Sequence, residues 1–343
     1  MKSLGLDAHA ASFTLAVLTP RGEISSCRSC DTSAANLIDA VSAVKGPKAL
    51  VVEESHLAQW VKGVLEPYVD RLVICDPERN SWIAKDEFND DKSSALKLAK
   101  LQLDGYLKEI RHPDQAGAKL RALFLHYYDL NQQLTRFKNK LKAVFRGQAI
   151  ATGGKGIYEE EQHAKWLKEL RGQAHLQHTA RQRFELIDKL EAWKQETYDA
   201  MVKLAQKQQA FKWIDGIPGA GLVITTGYIA MIDTPHRFSR KNKLWRYACL
   251  GNRYHTSDEV VYDSRASKSG NRVLKWVVVE HFLHAVERCK ESNRFKRQYE
   301  VLLKKGLDAT AARRHVCRSL LSTVRALWMK GEAYRDNPLK ERS

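Results

Sequence analysis

Six cysteines scattered over 343 residues are too few for a disulfide framework, and a reducing compartment keeps them as thiols. Only Cys27 and Cys30 are closely spaced; no second Cys or His pair lies at a matching distance, so no zinc site is expected. Long apolar runs are also missing. None reaches the ~18 residues that cross a bilayer, and the N-terminus carries no charged-then-apolar signal pattern, so a cytoplasmic protein without a membrane partner is expected. Internal repeats and low-complexity tracts are absent as well. Acidic residues are in short supply: 40 Asp and Glu face 57 Lys and Arg, a net charge of +17. Such an excess attracts polyanions and raises the encounter rate with nucleic acid. The length exceeds one typical core and predicts two domains with a connector.

Residues 1–110 alternate short β-rich runs with helical patterns, which predicts an α/β layer. The expected strands are Leu4 to Asp7, Phe13 to Thr19, Gly22 to Arg28, Leu50 to Glu53 and Arg71 to Cys75, with a hairpin at Pro20 to Gly22. Helical stretches at Ala34 to Val44 and Ala58 to Leu65 separate the later strands, which therefore pair in parallel through crossovers. Three antiparallel strands followed by parallel βα units is the RNase H-like order. Asp7 and Glu53 each close an apolar run, and Asp91 opens a helical stretch after a polar loop. Carboxylates at those three ends can converge. They repel one another unless hard cations neutralise them, and Mg²⁺ takes oxygen ligands while keeping waters for phosphate chemistry.

From Leu120 the pattern changes. Leu120, Tyr127, Leu134 and Leu141 recur every seven residues, interleaved with Leu123, Leu130, Phe137 and Val144. That is a heptad seam on a long paired helix. A glycine-rich stretch, Gly147 to Gly156, breaks it, and a second helix runs to about Gln209 with Ile187, Leu190, Tyr198, Met201 and Ala205 on one face. An antiparallel coiled-coil hairpin is the simplest outcome; a dimerisation arm fits the same pattern.

The last third opens with Gly216-Ile217-Pro218-Gly219 before an apolar helix ending at Ile232. This spacing is that of a helix-hairpin-helix turn, whose backbone N–H groups face a phosphate; a tight structural turn uses the same residues. A basic and aromatic cluster follows. Phe238, Leu244 and Tyr247 suit a core, which leaves Arg237, Arg240, Lys241 and Lys243 for phosphates. Ser267 precedes an apolar helix, Val273 to Ala285, whose N-cap is Asn271 after Gly270. A helix N-terminus with Arg265, Lys268 and Arg272 around it favours a bound phosphate. A serine there can attack phosphorus and conserve the energy of the broken strand as a phosphoserine ester; a capping serine is the bland reading of the same position.

In order along the chain, Gly5-Leu6-Asp7-Ala8-His9, Val52 to Trp60, Cys75-Asp76-Pro77, Asp91 to Ala99, Gly216 to Gly219, Leu244 to Gly251 and Ser267 to Asn271 resemble the DEDD transposases of the insertion-sequence family numbered one hundred and ten, and their relatives the Piv-type DNA invertases. The resemblance covers nearly the whole chain. It implies α/β plus α architecture: a RuvC-like DEDD domain over 1–112, a coiled-coil connector over 113–210, a mostly helical transposase domain over 211–335, and a tail over 336–343. It also implies DNA cutting and rejoining with Mg²⁺, a structured noncoding guide RNA that pairs with target and donor DNA, and a homo-oligomer, dimer or tetramer. Asp7, Glu53 and Asp91 match the first three acidic positions, with Glu54 a competing choice for the second, and Ser267 matches the nucleophile. The family's second helical Asp is replaced by Ser94, a neutral and weaker ligand. Either Asp90 or Asp86 supplies the missing charge, or the site holds one cation, or the chain is a weakened member. Three functions are therefore expected to compete: a recombinase using Ser267, a plain RuvC-type nuclease, and a nucleic-acid-binding protein that no longer cuts.

Overall fold

The computed structural model describes residues 1–76, 90–257, 260–266 and 269–336, with the strands inside 252–266 described by backbone alone. The chain divides into two compact units, Met1–Ala118 and Lys119–Ser343.

The first unit is a six-stranded sheet: β1 (Lys2–Ala8), β2 (Ser12–Leu18), β3 (Ile24–Asp31), β4 (Lys48–Glu53), β5 (Arg71–Cys75) and the two-residue β6 (Glu109–Ile110). Their spatial order is β3-β2-β1-β4-β5-β6. The first three strands form an antiparallel meander; β1, β4 and β5 pair in parallel; β6 closes the edge antiparallel. Helices α1 (Ala34–Ser42) and α2 (Ala58–Leu65) make the parallel crossovers, and α3 (Asp91–Leu103) follows β5.

Side chains alternate across a strand, and that period of two assigns the faces. Leu4 and Leu6 of β1, with Leu50 and Val52 of β4, join Leu37, Val41, Val61 and Leu65 in one core beneath α1 and α2. The intervening residues face the other side, where Val51, Val73 and Cys75 meet Leu98 of α3. Close approach of α3 depends on Gly5: a Cβ there would sit 2.0 Å from the Ala95 carbonyl oxygen and 2.6 Å from the Ala99 nitrogen. Ser3 Oγ donates to the Ala99 carbonyl at 2.7 Å. The helix thus runs antiparallel to β1. Four residues of helix rise about as far as two of strand, roughly 6 Å, which matches Ala99 to Ser3 and Ala95 to Gly5 and brings Asp91 level with Asp7.

In the second unit two long helices, α4 (Gln115–Arg146) and α6 (Ala174–Gln206), lie antiparallel. Their order is visible in the Tyr127–Tyr198 ring pair, the Lys138–Glu191 ion pair at 2.5 Å, and Arg183 donating to the Lys140 carbonyl. One end of the hairpin buries Leu130, Leu134, Leu141, Phe145, Phe184 and Ile187. The short α5 (His163–Glu169) closes that end through Trp166, edge-on to Phe145. At the other end Leu120, Phe124 and Met201 enter a separate core. That core surrounds α8 (Gly221–Ile232), which is buried from Ile224 to Ile232, as a helix apolar on all sides must be. Around it stand α7 (Gln209–Ile214), α9 (Lys241–Tyr247), α10 (Arg272–Phe282) with a π-helical turn at Leu283–Arg288, α11 (Arg294–Lys304) and α12 (Ala309–Lys330). A two-stranded hairpin, β7 (Asn252–Ser257) and β8 (Val260–Ala266), lies between α9 and α10. Among the described residues no helix is long and apolar enough to cross a membrane.

Candidate functional site

The first candidate site lies at the ends of β1 and β4 and the start of α3. Leu6 and Val52 are the last paired residues of the two parallel strands, so Asp7 and Glu53 follow side by side. Counting by two from Gly5 and Val51 puts both carboxylates on the face that α3 covers. Glu54 falls on the opposite phase and is taken up elsewhere: its Oε2 lies 2.5 Å from His112 Nε2, whose Nδ1 is 2.9 Å from Gln59 Oε1. Of the two candidate glutamates, Glu53 therefore stands beside Asp7.

Asp91 reaches the same place as the first residue of α3. Asp90 caps that helix, its Oδ1 accepting from the Ser93 backbone N–H at 2.7 Å while the Ser93 side chain accepts from the Asp90 N–H. These bonds from Ser93 hold the Asp90 carboxyl below its ordinary range. Asp90 is thus occupied as a cap, and serving as a substitute ligand requires it to leave that role. Ser94 sits one turn into the helix, half-buried, and Asp86 lies outside the described residues.

The arrangement contains a residue to which sequence reasoning gave no role. His9 Nε2 lies 3.3 Å from Asp7 Oδ1 and 3.9 Å from Asp91 Oδ1. One ligand atom each from Asp7, His9 and Asp91 falls within 4.8 Å of the others, a spacing that suits a single divalent cation. Burial and the neighbouring Asp91 raise the Asp7 pKa, His9 opposing them; burial first, then Asp7, raises that of Glu53. Both shifts are what like charges gathered at a half-buried strand end produce, and a bound cation reverses them. The donor set fits a divalent metal.

The second candidate site lies in the other unit. Gly219, at φ +80°, would place a Cβ 2.5 Å from the Ala285 nitrogen. It therefore has a packing role against the π-helical turn, while Gly216 is open and exposed. The Pro218 carbonyl, which can only accept, takes the His281 Nε2–H at 3.1 Å; His281 Nδ1 is then the acceptor for the Tyr228 hydroxyl at 2.9 Å. Burial drives the His281 pKa down to about 4.

Phe238 and Leu244 are buried, as expected of a core, with a turn at Pro235–Arg237 preceding α9. The Arg237 guanidinium lies over the tilted ring pair of Phe238 and Tyr247, 5.0 and 4.9 Å from their centroids. Arg240, Lys241 and Lys243 are exposed along α9, and Arg272 is exposed as the first residue of α10. A recess of about 990 Å³ beside α9 is lined by Arg294, Arg318, Lys330 and Arg335, cations that no motif had singled out, together with Lys241 and Trp245.

Ser267 and Lys268 lie outside the described residues, and Arg265 is described only as part of the β8 backbone. The residues that follow are firmly held. Gly270 packs against the Tyr247 and Arg246 carbonyls, leaving no room for a Cβ, and the Asn271 N–H donates to the Tyr247 carbonyl at 2.6 Å. Asn271 Oδ1 accepts from Leu274 N at 2.8 Å and so caps α10, as the sequence implied.

A chain of this construction, carboxylates at the strand ends of a mixed sheet and a cationic helical unit, has the makings of an enzyme acting on nucleic acid. Comparison with known families makes that specific. A family model described as a transposase, the DEDD type of IS110, matches residues 4–149. A second, described as Transposase IS116/IS110/IS902 family, matches residues 212–300. The chain carries both transposase domains of the IS110 family; the first match includes Asp7, His9, Glu53 and Asp91, and the second the Gly216 turn and position 267. No curated protein matches it.

Proposed function

We propose that this protein is the DNA transposase, or site-specific recombinase, of an insertion sequence, acting in the cytoplasm as a homo-oligomer guided by a structured noncoding RNA. The observation that carries the reading is the meeting of Asp7 and Asp91 around one point, with Glu53 beside Asp7 on the neighbouring strand, within the span matched by the DEDD transposase model. The strand order, an antiparallel meander running into parallel βα units, supports an RNase H-like, RuvC-like fold for the first unit. The antiparallel α4–α6 pair supports a coiled-coil connector, and the exposed Gly216 near Gly219 supports a helix-hairpin-helix contact with phosphate.

In this reading Asp7, Glu53 and Asp91 hold Mg²⁺, which when bound supplies charge neutralisation at the scissile phosphate. Ser267 Oγ forms a bond to phosphorus as the bond to the departing strand oxygen breaks, and the serine proton ends on that oxygen. The resulting phosphoserine ester is resolved when another strand's hydroxyl attacks it and returns the proton to Ser267. Arg265 and Lys268, on either side of Ser267 in sequence, and Arg272, the first residue of α10, would balance the charge developing on phosphorus. Arg237, Arg240, Lys241 and Lys243 and the basic recess beside α9 bind backbone phosphates. RNA pairing, rather than a side-chain code, then selects the DNA.

The test is a strand-exchange assay with divalent ion, its intermediates resolved under denaturing conditions. A protein-linked DNA species is expected with the native chain and is expected to vanish in Ser267→Ala, which retains DNA binding. Undiminished cleavage in Ser267→Ala without any adduct overturns the serine's role and leaves a metal-dependent nuclease. Ser94 favours one further reading, a relative that grips nucleic acid without cutting. Ser94→Asp separates the two, because a binding protein weakened by that change gains cleavage when the carboxylate is restored.

A further inference from the structure

The acidic cluster includes a nitrogen donor, His9, and lacks the fourth carboxylate of its family pattern. Position 94 carries a hydroxyl, and Asp90 is held as a helix cap. His9 lies just beyond β1, two residues after Asp7, and its imidazole turns back toward that carboxylate. A backbone bond from the His9 N–H to the Ser12 carbonyl, 2.9 Å, fixes the turn, and Thr32 Oγ1 donates to the His9 carbonyl at 2.7 Å. The imidazole is therefore carried on a held backbone, with Nε2 directed at both Asp7 and Asp91.

The distances are those of ligands sharing one ion. Donors about 2.1 Å from a metal stand roughly 3 Å apart at right angles and about 4.2 Å apart across it. The 3.3 Å and 3.9 Å separations of His9 Nε2 from the two carboxylates fall between these limits. We propose that His9 is a direct nitrogen ligand to the divalent ion, replacing the carboxylate missing at position 94 and shifting the site's preference from Mg²⁺ toward Mn²⁺. Magnesium is a hard ion that favours oxygen, whereas imidazole suits the first-row transition metals, so a mixed carboxylate and imidazole set discriminates between them. The inference rests on the reading of Asp7 and Asp91 as metal ligands.

Mn²⁺ is a direct probe because it is paramagnetic. Titration of the full-length protein, followed by calorimetry, is expected to give saturable Mn²⁺ binding at least about tenfold tighter than Mg²⁺. Pulsed electron paramagnetic resonance of the Mn²⁺ complex is expected to show ¹⁴N coupling from a bound imidazole, replaced by ¹⁵N coupling when histidine is labelled. In His9→Ala the coupling is expected to disappear and the preference for Mn²⁺ to collapse. His9 is well exposed, so folding is preserved, and His9→Asp is expected to restore tight Mg²⁺ binding without nitrogen coupling. Saturable binding that depends on Asp7, yet shows no nitrogen coupling and is unchanged in His9→Ala, overturns this inference and leaves the metal-site reading standing. Absence of saturable binding of either ion overturns both.

Discussion

Gly5→Ala tests whether the registration of α3 on β1 assembles the acidic site. On local grounds the substitution stabilises the protein, since alanine in place of glycine lowers the entropy of the unfolded chain by about 0.4–1 kcal/mol. The packing opposes it. The new Cβ would meet the Ala95 carbonyl oxygen at 2.0 Å, the Ala99 nitrogen at 2.6 Å and the Ala95 carbonyl carbon at 3.1 Å, all main-chain atoms with no rotamer to escape into. Ordinary contact needs roughly 3.4 Å or more, so α3 must withdraw by about 1.4 Å. Overpacking of this kind costs about 3 kcal/mol at its upper end, giving a net loss near 2 kcal/mol. The displacement also strains both Ser3 bonds, to the Ala99 carbonyl and to Gln102 Oε1. It moves Asp91 away from Asp7 and His9, and Mn²⁺ affinity is expected to fall by about tenfold or more. Hydrogen exchange along residues 91–103 in increasing urea reads the first effect and calorimetry the second. Gly63→Ala, inside α2 with nothing closer than Gln115 Nε2 at 3.8 Å, is the matched control and is expected to stabilise by about 1 kcal/mol. If Gly5→Ala stabilises like Gly63→Ala and binds Mn²⁺ normally, the account of how the site is assembled is wrong.

Two further outcomes concern the second unit. Replacing Arg240, Lys241 and Lys243 together by Ala is expected to weaken DNA binding without regard to sequence and to reduce the slope of log affinity against log salt by about 2.7, as three phosphate contacts require; an unchanged slope removes these residues from the interface. His281 makes stability depend on pH. Its folded pKa of about 4 lies below its ordinary 6.5, so above 6.5 both folded and unfolded forms are neutral and it adds no pH dependence. Between 6.5 and 4 only the unfolded chain gains the proton, and stability falls with pH by a total on the order of 3 kcal/mol. Urea unfolding of α10 between pH 7 and 4 is expected to lose this slope in His281→Gln, and a slope that persists assigns it to other groups.

Much of the first unit was legible because strands buried on one or both faces write their phase into the sequence. Leu4 and Leu6 against Gly5 and Asp7, and Leu50 and Val52 against Val51 and Glu53, give both the strands and the face of each acid. The two-residue β6 is too short to carry such a signal. In α4 the heptad reading found the helix but not its full contact surface. Tyr127, Phe137 and Val144 are only half-buried, whereas Phe124 and Phe145, off the expected seam, are buried completely. The partners explain the difference: Phe124 fits the space left by Gly227, whose added Cβ would lie 2.5 Å from its ring, and Phe145 meets Trp166. A packed face broader than two positions in seven needs knowledge of what lies opposite. The β7–β8 hairpin was invisible because Asn252 to Ser257 has no alternating apolar pattern.

The candidate site divides along the same line. Whether Glu53 or Glu54 stands beside Asp7 follows from counting by two along β4, a property of one strand. The place of Asp91 depends on two segments at once, since the helix can reach Asp7 only where Gly5 of β1 and Ala95 and Ala99 of α3 allow main chain to touch main chain. His9 belongs to this second kind. Its spacing from Asp7 was present in the sequence, but an exposed histidine after a strand becomes a ligand candidate only when a second carboxylate arrives from elsewhere, as Asp91 does at 3.9 Å. The same interdependence explains why Ser94 need not empty the site: a donor lost from the helix can be replaced from the strand end, provided α3 keeps its registration. Position 94 and position 9 should therefore compensate for one another, so that Ser94→Asp rescues Mg²⁺ binding in His9→Ala; failure of that rescue, with α3 intact by hydrogen exchange, would separate their roles.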